Sequence, residues 1–126
     1  MKHLVMLLLL LLSLAVQGQE RKLSYIETTK NWYYLYDEQG RQMGGLSRSS
    51  TGELQGWGSD YFVTRRYSYY VICDVKGRTL KSLNVQDVGD ILSVSDNGFA
   101  SRKGSWLYTW SKDGKKLSAR NAHSQF

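Results

Sequence analysis

The chain has 126 residues, a net charge of +6, a hydrophobic fraction of 41% and a single cysteine. A chain of this length forms one domain with a modest core and is too short for two. The single cysteine excludes an intramolecular disulfide, and the positive charge favours acidic partners without indicating a fold.

Residues 1–18 have the pattern of an export signal. Lys2 belongs to a short polar start, residues 4–14 form a nearly unbroken apolar run, and small residues precede Gln19. The run is shorter than the about 20 residues that a membrane-spanning helix needs. We therefore expect an exported protein, periplasmic or secreted, with no stable membrane span, no nucleic-acid partner and one domain at residues 19–126. An uncleaved membrane anchor is the alternative.

The first unit of the domain, residues 22–51, contains three predicted strands. Residues with a high β propensity predict them at Tyr25–Thr28, Asn31–Tyr36 and Arg41–Leu46. The middle strand is bulky on both faces, which is typical of a strand buried between layers. The polar run that follows, Ser47 to Gly52, is expected to be a flexible connection.

The second unit, residues 52–88, has room for one more strand than the first. Its predicted strands lie near Glu53–Trp57, Tyr61–Arg65, Ser68–Cys73 and Arg78–Leu83. The third unit, residues 89–126, follows the same plan at a distance of 37 residues. The chain has no proline and no segment of helical periodicity. The sequence therefore predicts an all-β antiparallel meander of three 37-residue repeats.

Each unit closes its central hairpin with the same turn. Asp37 and Gly40 stand where a type I turn followed by a left-handed residue requires them, and Asp74 and Gly77 repeat the pair. Ser111 replaces the aspartate in the third unit and keeps an oxygen acceptor. Such self-similarity predicts stacked or radial repeats, and four antiparallel strands per unit is the layout of a propeller blade. A small barrel or sandwich is the alternative.

The spacing Phe-x-x-x-Arg…Tyr-x-x-x-Asp-x-x-Gly-Arg-x-Leu, which runs from Phe62 to Leu80, resembles the bacterial WG-repeat proteins and, more loosely, repetitive β-propeller blades. Tyr70-Val71 stands where the WG repeats have Trp-Gly. The segment from Tyr34 to Arg41 is also similar to the YD repeat of large exported shell proteins. The resemblance implies an exported repeat protein used for binding or scaffolding, without catalytic residues.

Basic residues recur at one position of the repeat. Arg65 and Arg66 in the second unit correspond to Arg102 and Lys103 in the third. In a stacked or radial array these four residues are expected to form a basic stripe that meets carboxylates, sulfates or phosphates. Solvated strand ends that deter edge-to-edge pairing are the alternative.

Aromatic residues supply a second candidate surface. Trp57 lies between two glycines and has no aromatic counterpart in the third unit, so we include it in the predicted binding site. Trp32, Trp106 and Trp110 fall in central strands and are expected to pack in the core, with stacking platforms for sugar rings or peptide as the alternative. Cys73 occupies the strand position of Trp110 and is expected to be a small buried hydrophobe, with an intermolecular disulfide or a reactive thiol as the alternatives.

Residue types that support catalysis or metal binding are scarce. After residue 18 the only histidine is His123. We therefore expect no metal site, no nucleophile pair and no cofactor. Two carboxylate pairs, Glu53 with Asp90 and Asp37 with Asp74, have the residue types that glycoside hydrolysis needs. Their recurrence at repeat positions instead favours a role in turns or strand edges.

The sequence therefore predicts a non-enzymatic exported module that binds a protein or an anionic glycan. A structural subunit that assembles with itself and a carboxylate-dependent glycan hydrolase are the alternatives. Three blades are fewer than the about four to eight of a closed propeller, and open strand edges invite pairing. We therefore also expect a homodimer, in which two chains supply six units.

Overall fold

The computed structural model describes residues 21–123, so the predicted export signal at residues 1–18 lies outside the described residues. Strands form three antiparallel sheets in which each strand pairs with its neighbours in sequence. Sheet 1 contains β1 (Leu23–Thr28), β2 (Trp32–Asp37) and β3 (Gln42–Ser47). Sheet 2 contains β4 (Glu53–Trp57), β5 (Tyr61–Arg66), β6 (Tyr69–Asp74) and β7 (Thr79–Asn84). Sheet 3 contains β8 (Asp90–Val94), β9 (Gly98–Lys103), β10 (Trp106–Ser111) and β11 (Lys116–Asn121).

The predicted all-β meander is confirmed, and the described strands do not close into a barrel. Each sheet corresponds to one unit of the repeat, and the predicted strand bounds differ from the observed ones by a few residues at most. Among residues 21–123, no helix is long and apolar enough to cross a membrane.

The predicted turns close the hairpins as expected. Asp37 Oδ1 accepts hydrogen bonds of 2.9 Å from the backbone N–H groups of Gln39 and Arg41, and Asp74 makes the equivalent bonds in sheet 2. Gly40 and Gly77 have φ values of 76° and 85°, in the left-handed region that favours glycine.

Two one-turn helices connect the sheets, α1 (Arg48–Thr51) and α2 (Val85–Val88). The expectation of a flexible connection from Ser47 to Gly52 was therefore wrong. Each helix ends at a glycine with positive φ, Gly52 at 97° and Gly89 at 83°. Four residues are too few to show helical periodicity, and for that reason the sequence pattern gave no helix.

Sheet 2 lies between the other two sheets. One of its faces packs on sheet 1 through Phe62, Val71 and Cys73, and these side chains are at most 4% exposed. Its other face packs on sheet 3 through the buried side chains of Tyr61, Val63, Tyr70 and Ile72. The hydrophobic core is therefore divided into two layers, one on each side of sheet 2.

Tyrosine hydroxyls connect successive sheets. The Tyr33 hydroxyl in sheet 1 donates a 2.8 Å hydrogen bond to the carbonyl of Gly52 and accepts one from the N–H of Leu54. Tyr70 in sheet 2 donates a 2.8 Å bond to the carbonyl of Gly89. Both hydroxyls therefore fix the point where the next sheet begins.

The expectation for the tryptophans and the cysteine was correct in part. Trp110 is 6% exposed and Cys73 is fully buried, and burial raises the pKa of the Cys73 thiol. Trp32 and Trp106 are instead 45% and 43% exposed. Trp32 shares with Tyr34 the face of sheet 1 that no other described sheet covers, and Trp106 lies at the first position of its strand. The expectation that the two residues pack in the core was wrong.

The sheets have two different ends. We call the end that carries α1, α2 and the β5–β6 and β9–β10 turns the crossing end. The opposite end carries the Asp37 and Asp74 turns, and we call it the turn end.

Candidate binding surface

The predicted basic residues lie at the crossing end. Arg65 Nε donates a 3.1 Å hydrogen bond to the carbonyl of Tyr67, and Arg102 Nε donates a 3.0 Å bond to the carbonyl of Gly104. Both side chains are exposed, and the terminal guanidinium nitrogens have no protein acceptor among residues 21–123. The two arginines are therefore held in the same orientation with donors directed to solvent.

Arg66 and Lys103 occupy the next position of the repeat. Arg66 Nε donates a 2.9 Å bond to the carbonyl of Thr51 in α1, and the Lys103 side chain is exposed. Side chains alternate between the faces of a strand, so Arg65 and Lys103 lie on the faces of sheets 2 and 3 that meet each other. The structure thus keeps all four predicted basic residues at one end of the molecule.

Carboxylates moderate this positive region. Glu53 pairs with Arg65 across β4 and β5, and Asp90 pairs with Arg102 across β8 and β9. In neither pair do the charged groups come within ion-pair distance among the described residues. The carboxylates can therefore limit the affinity for an anion without occupying the arginine donors.

A half-exposed aromatic residue recurs beside the basic residues. Trp32, Tyr69 and Trp106 start β2, β6 and β10, are 37 residues apart, and are 45%, 50% and 43% exposed. In the strand register Tyr69 lies opposite Arg66, and Trp106 lies opposite Lys103. Sequence analysis missed this row because it assigned two of the three residues to the core. Their shared first position in the strand was the signal that could have found it.

Tyr67 projects from the β5–β6 turn with 96% of its surface exposed. Its φ of 54° lies in the left-handed region, and Gly104 occupies the equivalent position of sheet 3 with φ 59°. A two-residue hairpin turn whose first residue has positive φ favours glycine. Tyr67 is therefore a strained residue whose side chain has no role in the core, a combination that is enriched at functional sites.

A cavity of about 610 Å³ opens at the crossing end beside the β1–β2 turn and α1. Its lining includes Trp32, Glu53 and two cations, Lys30 and Arg48, that the sequence did not indicate as binding residues. Arg48 Nη1 donates a 2.7 Å bond to the carbonyl of Thr29, and its guanidinium lies 5.5 Å from the centre of the Tyr33 ring. The cavity therefore combines two cations with an exposed indole.

Trp57 lies apart from the other predicted binding residues. It ends β4, about 13 Å along the strand from the crossing end. Its Nε1 donates a 3.1 Å bond to the carbonyl of Ser24, and its ring meets the Tyr25 ring edge-on at 5.9 Å. The structure thus gives Trp57 a contact that joins sheets 1 and 2.

Several charged residues at the turn end form ion pairs. Arg21 and Arg41 both bond to Asp37, Arg78 bonds to Asp74 at 2.7 Å, and Lys112 bonds to Asp60 at 2.7 Å. Burial opposes ionisation of Asp37, but hydrogen bonds from the Arg41 and Gln39 backbone and the Arg21 side chain lower its pKa to about 2. The same balance of burial and hydrogen bonds lowers the pKa of Asp74.

These contacts define the chemistry open to the paired carboxylates. Asp37 and Asp74 are ionised at neutral pH and engaged in their own turns, so neither is placed to donate a proton. Glu53 and Asp90 begin strands in different sheets, each opposite an arginine. The part of the chain that the structure describes holds no group of three or more histidine, cysteine or carboxylate side chains suited to a metal ion.

No protein-family model, no curated protein and no solved structure matches this chain.

Proposed function

We propose that this chain is a non-enzymatic, exported β-repeat module whose crossing end binds an anionic partner. An acidic glycan is the partner that the chemistry favours, and an acidic protein segment is the alternative. The export signal predicted at residues 1–18 supports a periplasmic or secreted location for such a module.

One observation carries the proposal. Arg65 and Arg102 make the same Nε bond to a turn carbonyl in successive sheets, and both leave their terminal donors exposed. Two parallel donors of a guanidinium match the two oxygens of a carboxylate or sulfate. Because the arrangement recurs with the repeat, an extended ligand with repeated acidic groups can contact both sheets.

The aromatic row favours a glycan over a simple anion. Trp32, Tyr69 and Trp106 present half-exposed rings at equivalent places in the three sheets. Aromatic rings with a polar atom supply apolar contact area and a hydrogen-bonding group together, as a sugar ring requires. The cavity lined by Lys30 and Arg48 offers a place for one end of such a ligand.

Calorimetric titration of the purified protein with a polyuronate, chondroitin sulfate, polyglutamate and neutral dextran tests the proposal. We expect binding to the two acidic glycans, weakening as salt is added, and no binding to dextran. The double variant Arg65→Ala plus Arg102→Ala is expected to lower affinity roughly a hundredfold, because two charge-assisted contacts are lost.

The matched control removes two exposed cations from the turn end, Lys76→Ala plus Lys115→Ala, and leaves the net charge of the two double variants equal. Equal losses in both double variants would show that only net charge matters and would contradict the proposed site. Binding to polyglutamate alone would replace the glycan with an acidic protein segment.

A further inference from the structure

Sheets 1 and 3 each have one face that no other described sheet covers. Because the sheets are repeats, each of these two faces has an equivalent face in sheet 2. In the repeat, the outer face of sheet 3 is equivalent to one face of sheet 2, the face that packs on sheet 3. The outer face of sheet 1 is equivalent to the opposite face of sheet 2, which packs on sheet 1. Each outer face is thus equivalent to one half of a sheet-to-sheet contact.

The outer face of sheet 1 carries large aromatic rings. The rings of Trp32 and Tyr34 are stacked at 6.5 Å with an angle of 20°, and Tyr25 is 55% exposed. Tyr34 lies over Gly45, where a Cβ would be 3.3 Å from the ring. A sheet at the end of a repeat stack normally replaces its apolar residues with polar ones. Sheet 1 does not.

The outer face of sheet 3 carries small side chains. Ala100 and Thr109 stand where sheet 2 has Val63 and Ile72, which are completely buried against sheet 3. A cavity of about 200 Å³ opens here, and its lining includes Ala100, Thr109 and the 63% exposed Leu117. The absence of bulk on this face leaves room for large residues from a partner, as in cores where large and small residues face each other.

The two outer faces also carry opposite charges near the crossing end. On sheet 1, the Tyr36 hydroxyl donates a 3.2 Å bond to Glu27, whose counterpart in sheet 2 is the uncharged Thr64. On sheet 3, Arg102 and Arg120 flank Leu107 in the strand register. Asp90 lies opposite Arg102 on β8, so these three side chains leave one net positive charge on this face. A carboxylate on the bulky face and two arginines on the small face favour contact between these faces over contact of either face with itself.

We infer that two copies of this chain associate through these faces, with sheet 1 of each copy packed on sheet 3 of the other. The contact occurs twice around a two-fold axis and joins six sheets into a ring, which is within the about four to eight blades of closed propellers. The aromatic rings of one copy fill the small outer face of its partner. Glu27 lies near Arg102 of that partner at the crossing end of the contact, where Arg102 keeps its terminal donors exposed, as its equivalent Arg65 does between sheets 2 and 3.

Sedimentation of the purified protein at micromolar concentration, with no glycan present, tests the inference through complementary charge reversals. Glu27→Arg alone and Arg102→Glu alone each place like charges at both contacts, so each is expected to sediment as a monomer. An equal mixture of the two variants restores opposite charges at both contacts and is expected to recover a dimer. Lys76→Glu, a reversal at the turn end, is expected to leave the dimer intact.

A second variant tests shape without changing charge. Thr109 is exposed on the outer face of sheet 3, so Thr109→Trp fills that face without disturbing the core and is expected to give a folded monomer. A wild-type monomer, a dimer that survives both charge reversals and Thr109→Trp, or an open polymer would each overturn the inference. A monomer whose tyrosine fluorescence responds to dextran would assign the aromatic face of sheet 1 to a saccharide instead.

Discussion

The turn end and the crossing end of the sheets use their charged residues in different ways. At the turn end, Asp37 and Asp74 accept backbone and arginine donors within their own hairpins. At the crossing end, Arg65 and Arg102 donate only through Nε, to main-chain carbonyls. Opposite charges that satisfy each other stabilise local structure, whereas cations held by carbonyls keep their charge available to a ligand. Stability and binding should therefore respond to substitutions at different ends of the molecule.

The largest effect on stability is expected at the turn end, from Gly77→Val. Gly77 has φ 85°, and a Cβ there would lie 2.7 Å from Leu46 Cδ2. Valine adds backbone strain and a clash, so we expect a loss of roughly 3 kcal/mol in the free energy of unfolding. Gly44→Val is the control, because nothing lies within 4 Å of a Cβ at Gly44. Equal denaturant midpoints for the two variants would contradict the assignment of Gly77 to the left-handed position of the turn.

The next largest loss of stability is expected when the pH is lowered, through Asp37 at the turn end. The pKa of Asp37 falls from the ordinary 3.8 to about 2 in the folded protein, so its contribution to stability is complete above pH 3.8 and is lost as the pH falls through 2. Denaturant midpoints measured from pH 5 to about pH 2 should decrease across this window. Asp37→Asn should start with lower stability and show a shallower decrease. An unchanged slope in this variant would mean that other carboxylates dominate.

A smaller effect, of opposite sign, is expected from Tyr67→Gly at the crossing end. Removing a non-glycine residue from the left-handed region should raise the free energy of unfolding by about 1 kcal/mol. The reverse change, Gly104→Tyr, should lower it by a similar amount, since a Cβ at Gly104 meets nothing within 4 Å. If Tyr67 contacts the ligand, the stabilised variant should also bind the polyuronate more weakly. Stabilisation without weaker binding would remove Tyr67 from the site.

The smallest effect on stability is expected from Arg65→Ala plus Arg102→Ala. Both side chains are exposed, and each makes one hydrogen bond to a turn. We expect the free energy of unfolding to change by less than about 0.5 kcal/mol, while glycan affinity falls. Urea denaturation of the double variant measures the first quantity. A loss of stability as large as that of Gly77→Val would show that residues at the crossing end are as important for stability as those at the turn end.

Local features of the fold could be predicted from the sequence. The Asp37 and Asp74 turns depend on residues within four positions of each other, and short strands between turn residues are visible in each unit. The place of Arg65 and Arg102 at equivalent strand ends follows from the repeat alone. Cys73 could be assigned to the core because its strand is apolar on both faces.

Contacts between sheets could not be predicted in the same way. The Tyr33 bond to Gly52 spans 19 residues and the Trp57 bond to Ser24 spans 33, and nothing in the local pattern connects these pairs. A central strand that is bulky on both faces also occurs in a sheet at the end of the molecule, where one of those faces stays exposed. For that reason Trp32, on the outer face of sheet 1, was expected in the core.

Leu107 occupies the repeat position of Tyr33 and Tyr70, whose hydroxyls bind the glycine that starts the next sheet. Leucine has no hydroxyl, so the third unit lacks the group that makes this bond in the first two units. A chain lengthened artificially by a fourth unit should therefore require Leu107→Tyr, together with a glycine 19 residues later, to hold the added unit in register.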